Sequence, residues 1–141
     1  MNKKFWTGFI AVFVVMEVLA FIIHGVILDS TYKSIQGVWR PDMQSLMWVY
    51  HVLSAIGSFF FTLVFSKGYE GKGTAEGVRY GLYIGIWMSS GMAYGSYAMI
   101  NIPYSLALQW FIYGVIEYII YGVVLAMVFG KQAMVTAAPK S

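Results

Sequence analysis

Long apolar runs separated by short polar connections organise this chain. A helix rises 1.5 Å per residue, so about 20 apolar residues cover a hydrocarbon layer about 30 Å thick. Residues 5–28, 47–66, 80–100 and 104–129 each meet that requirement. The connections are residues 29–46, residues 67–79 and the turn Asn101-Ile102-Pro103, where proline cannot continue a helical ladder. The runs are continuous rather than alternating segments of about ten residues, which favours helices over barrel strands. The pattern predicts an all-α fold: a single polytopic transmembrane domain over residues 1–141, built as an antiparallel four-helix bundle.

The first residues, MNKKFWTGFIAVFVV, begin like a signal peptide. The apolar run continues for about 24 residues without a small-residue cleavage site, so it reads as a retained span. Composition agrees with membrane insertion. Of 141 residues, 60% are hydrophobic and only 11% charged, whereas soluble domains carry about 25% charged residues. The net charge of +3 is spread over the ends of the apolar runs rather than gathered in one patch, which argues against nucleic acid. Cysteine is absent, which removes disulfides, thiolate metal sites and cysteine nucleophiles.

Basic residues orient the spans. Lys3, Lys4, Lys67, Lys72, Arg79, Lys131 and Lys140 fall on one side, and only Lys33 and Arg40 on the other. The positive-inside rule puts both termini and residues 67–79 in the cytoplasm, with residues 29–46 and 101–103 outside. Trp6, Trp39, Trp48, Tyr69, Tyr80, Tyr104 and Trp110 lie near span ends, as an interfacial aromatic belt requires.

Packing signals concentrate in the third and fourth runs. Apolar burial does not drive helices together in lipid, whereas close contact between small residues and interhelical hydrogen bonds do. Gly73, Gly77, Gly81 and Gly85 recur every four residues, and Gly91 and Gly95 follow. Gly114, Gly122 and Gly130 recur at spacing eight. A tight contact between these two runs is the natural inference, and the same glycines suit a partner subunit or a second copy.

Candidate chemistry is confined to a few intramembrane polar groups. A charge near the bilayer centre costs about 3 kcal/mol on insertion scales, so Glu17 and Glu117 should face protein. Both fall roughly 15–20 Å below the outer surface at 1.5 Å per residue. His24 lies four residues from the outer end of the first run, and His51 four residues into the second. Their equal depth lets the imidazoles approach one another. Glu17 and His24 are seven residues apart and share a helical face. Gln109, Tyr113, Tyr118 and Tyr121 are further donors near Glu117.

Four readings of this set stay open, the last of them an unrecognised enzyme. The polar groups hold helices of a larger complex together, as an accessory subunit requires. Alternatively, His24 and His51 hold haem b or a metal for electron transfer. In the third reading Glu17 and Glu117 serve a small homo-oligomeric proton-coupled transporter. No zinc-hydrolase, di-iron carboxylate, phosphate-loop or nucleophile-elbow motif appears. The segment GYEGKGTAEG lacks the ending of a phosphate loop and reads as a flexible connection, while Trp39-Arg40-Pro41-Asp42 reads as a surface turn.

The stretches HGVILDSTYKSIQGVWRP, FSKGYEGKGTAEGVRYGL and IEYIIYGVVLAMVFGK resemble small bacterial four-span inner-membrane proteins of unknown function. That resemblance implies a bacterial cytoplasmic-membrane location. It supplies no activity to carry over to individual residues.

Overall fold

Each long apolar run becomes a helix because a backbone away from water must satisfy its own hydrogen bonds. The computed structural model describes residues 2–130. Helix α1 covers Lys3–Ala20, and the chain continues without a break as a π-helical segment, Phe21–Ile27. A short α2 spans Asp29–Ser34, with 3-10 turns at Gln36–Val38 and Met43–Leu46. Then follow α3 (Met47–Gly68), α4 (Thr74–Met99) and α5 (Tyr104–Phe129). No strand occurs among the described residues.

Three helical stretches are long and apolar enough to cross a membrane: Lys3–Ile27, Met43–Gly68 and Tyr104–Phe129. Helix α4 has the same 26-residue length as α5. It is not among the three, because glycines and serines replace many of its larger apolar side chains. The expected span at 80–100 is therefore a helix of sufficient length but of lower apolarity.

The tightest seam joins α4 and α5. Gly77 lies against Gly122, Gly81 against Tyr118 and Ile119, Gly85 against Val115, and Ser89 against Gly114. The numbers rise on one helix as they fall on the other, so the pair is antiparallel. A Cβ added at Gly81 would stand 2.6 Å from the Ile119 Cα, so only glycine permits this approach. Gly91 and Gly95 behave differently: neither has a neighbour within 4 Å of a Cβ position. They lie outside the α4–α5 seam.

Helix α1 runs antiparallel to both α3 and α5 and ties them together. One apolar cluster closes the end of the molecule that carries Lys3 and Phe129, here the terminal end. It contains Val12, Phe61, Phe65, Tyr121, Leu125, Ala126 and Phe129. A second closes the loop end, where Ile23, Leu28, Ile102, Leu106 and Ala107 pack beneath Tyr32, Trp39 and Trp110. Helix α3 takes part only in the first. Ser58, Phe61, Thr62 and Phe65 are buried, whereas no residue from Met47 to Gly57 is.

The connection at 69–73 is held rather than loose. Glu76, in the first turn of α4 and only 5% exposed, accepts hydrogen bonds from the Glu70 N–H at 2.6 Å and the Lys72 N–H at 2.9 Å. Gly71 and Gly73 adopt positive φ (79° and 76°), which lets the chain wrap around that carboxylate. At the surface the Lys72 ammonium is bonded to the Glu70 carboxylate and holds it below the usual carboxylate range. The Lys4 Nζ donates to the Phe129 carbonyl at 2.6 Å, and the Tyr69 hydroxyl to the Gly130 carbonyl. Both satisfy carbonyls that the end of α5 leaves open. Lys131 and Lys140, used above for orientation, lie outside the described residues.

Candidate intramembrane polar site

The two imidazoles have different partners, and the cause is local. In the π segment the Leu28 N–H bonds back to the Ile23 carbonyl at 2.8 Å, five residues away. A π turn holds more residues than an α turn, so His24 falls short of the face that carries Glu17. The shared face expected from seven-residue spacing is lost. Glu17 turns to α3, where its Oε2 lies 2.6 Å from the His51 Nδ1. His24 turns instead to the start of the loop, with its Nδ1 2.5 Å from the Tyr32 hydroxyl.

Tyr32 organises the loop end. Its hydroxyl also accepts the Trp110 indole N–H at 2.8 Å, and its carbonyl accepts the Trp39 indole N–H at 3.2 Å. An indole N–H can only donate. The phenol hydrogen is therefore free to point at His24 Nδ1, which fits a neutral imidazole protonated at Nε2. The three rings pack closely, with Tyr32 5.4 Å from Trp39 and 6.3 Å from Trp110. Burial pushes the Tyr32 phenol up to about 12, against a smaller opposing effect of the Trp110 bond. Two of the seven aromatics assigned to an interfacial belt, Trp39 and Trp110, thus turn inward to build this cap. Tyr80 also turns inward, donating to the Phe61 carbonyl at 2.7 Å.

At mid-length the carboxyls have unequal surroundings. Glu17 is bonded to His51, whose side chain remains 64% exposed. Glu117 accepts a single bond, from the Tyr121 hydroxyl at 3.2 Å. Tyr121 is itself buried at 3%. The remaining acids all have cationic or amide partners: Asp29 with Lys33, Asp42 with Arg40, Glu70 with Lys72, and Glu76 with two backbone amides. Glu117 is the one acid without such a partner among the described residues. Gln109 Oε1 is buried without a hydrogen-bond partner among the described residues, and Tyr113 packs against the loop-end cluster. Among the described residues, no group of three or more His, Asp or Glu side chains is placed to hold a metal ion.

Two residues central to this arrangement escape a reading of the sequence. Tyr32 sits in a connection that looks irregular, although Asp29 and Lys33 at spacing four mark a helical turn there. Glu76 follows Gly73 by three residues, the spacing at which a helix's first-turn carboxylate reaches back to free amides. No protein-family model matches the chain, and no curated protein or solved structure resembles it significantly.

Proposed function

We propose that this protein is a small integral-membrane accessory or assembly subunit of a larger, bioenergetic membrane complex. In this reading α1, α3, α4 and α5 all cross the bacterial cytoplasmic membrane. The terminal end and the 69–73 connection face the cytoplasm, and the Tyr32 cap faces outward. Lys3, Lys4, Lys67, Lys72 and Arg79 at the terminal end, against Lys33 and Arg40 at the other, support that orientation.

The observation that carries the reading is the bare face of α4. This helix is the least suited of the four to lipid, yet Gly91 and Gly95 form an open notch away from α5. Small residues four apart let a neighbouring membrane helix approach closely. The notch therefore suits a helix that the chain itself does not supply. Haem bound by His24 and His51 has less support, because each imidazole is engaged by a separate protein partner.

Mild-detergent extraction of the native membrane tests the reading. The protein should co-purify with a complex several times its own mass. A Gly91→Leu/Gly95→Leu variant should leave that complex yet keep its own fold, since neither position has a neighbour within 4 Å of an added Cβ. Isolation of the wild type as a lone, stable monomer would overturn the assignment.

A further inference from the structure

At the terminal end, where α1 begins and α3 and α5 stop, these helices leave a pocket of about 280 Å³ between them. Asn2, Lys4, Ser66, Tyr69 and Phe129 line it. The lining is one-sided in its chemistry, with a cation and no carboxylate. Lys4 commits one of its three N–H groups to the Phe129 carbonyl and forms no ion pair among the described residues. Asn2 caps α1 through its side-chain oxygen, which accepts the Phe5 N–H at 3.0 Å and leaves the NH2 group as a donor. Bare carbonyls at the end of α5 would repel an anion, but Lys4 covers that of Phe129 and Tyr69 that of Gly130. The two acids that follow in the chain are also engaged, Glu70 by Lys72 and Glu76 by two backbone amides. The Ser66 hydroxyl bonds to its own helix at the Leu63 carbonyl, so what this residue contributes to the pocket is space.

We infer that this pocket receives the phosphate of an anionic phospholipid headgroup. Lys4 supplies a charge-assisted contact and the Asn2 amide a second donor. Lys3 and Lys67, next in sequence to lining residues, add positive charge at the same end. The helices around the pocket explain why the phosphate comes from a lipid. All three belong to stretches long and apolar enough to cross a membrane, so their shared end falls at headgroup level. Basic pockets between membrane helices take anionic headgroups at that level. The volume lies just under the roughly 300 Å³ at which drug-sized sites begin, which suits a headgroup alone. A divalent cation is a poor match, because it needs several oxygen ligands and meets an ammonium here. The inference rests on the proposed membrane crossing but on no partner complex. A lone monomer that retains the lipid would overturn the accessory reading and leave this one standing.

The test titrates the purified full chain in nonionic detergent with phosphatidylglycerol or phosphatidylcholine and counts retained lipid by native mass spectrometry. Phosphatidylglycerol should saturate at one molecule per chain and bind at least about tenfold more tightly than phosphatidylcholine. Lys4→Met should remove that preference, and Lys4→Arg should keep most of it. Ser66→Leu fills the pocket without changing any charge and should weaken phosphatidylglycerol by about tenfold as well. Lys33→Met removes the same charge from the other end of the molecule and should change nothing. Equal retention of the two lipids would mean non-selective coating and would overturn the inference. Loss in Lys4→Met with full binding in Ser66→Leu would mean diffuse attraction rather than a pocket, and would overturn it too. Binding of soluble glycerophosphate without retention of the lipid would assign the pocket to a free anion and reject the lipid. Should Lys4→Met fail to fold for want of its bond to Phe129, Ser66→Leu and the two lipids on the wild type still decide.

Discussion

Gly81→Ala offers the sharpest test of the α4–α5 seam. The added methyl would stand 2.6 Å from the Ile119 Cα and 2.7 Å from the Tyr118 carbonyl carbon. Ordinary contacts at Cβ begin at 3.4 Å. The obstructing atoms are all backbone of α5, the Tyr118 carbonyl oxygen nearest of all, so no side chain can rotate out of the way, and the helices must part locally by at least about 0.8 Å. A gap of that size forfeits roughly a quarter to a half of each dispersion contact along the seam. Overpacking of this kind costs about 1–3 kcal/mol. Alanine's advantage over glycine in a helix, about 1 kcal/mol, opposes it. The clash should win, leaving Gly81→Ala less stable by up to about 2 kcal/mol. Gly91→Ala, ten residues along the same helix, meets nothing within 4 Å and should be neutral or slightly stabilising. Unfolding in mixed micelles with rising dodecyl sulfate, followed by near-ultraviolet circular dichroism, measures both. Equal midpoints for the two variants would refute the backbone-on-backbone contact.

Other substitutions probe the polar contacts. Tyr32→Phe leaves Trp110 Nε1 and His24 Nδ1 without their shared partner and should cost about 1–3 kcal/mol, with a shift in tryptophan emission. In the wild type the Tyr32 phenol should ionise near pH 12 rather than 10. The unfolded chain then loses this proton first, so the stabilising contribution is intact below pH 10 and disappears as pH rises towards 12. Phenolate absorbance of wild type against Tyr32→Phe isolates that step. Glu76→Gln removes the charge from two short bonds to backbone amides. Amide hydrogens of residues 70–72 should then exchange at least about tenfold faster, corresponding to about 1.4 kcal/mol. Unchanged exchange would mean that Gly71 and Gly73 hold the connection without the carboxylate.

The sequence alone determined the helical architecture and the positions of most element boundaries. Continuous apolar runs leave no other way to satisfy a backbone away from water, and Pro103 fixes the turn between α4 and α5. The acids within the long apolar helices were equally legible, because an acid among apolar residues stands out whatever the fold. Their partners were not. A hydrogen bond depends on rotation about the helix axis, and the π segment at Phe21–Ile27 changes that rotation without a clear signature in the residues. It begins between Glu17 and His24, which bond to His51 and Tyr32 respectively. The glycines make the same point, since all share one chemistry while Gly77, Gly81 and Gly122 are sealed in a seam and Gly91 and Gly95 are bare. Only the tertiary structure decides which side of a helix meets a neighbour, because facing is set jointly by helices far apart in the chain.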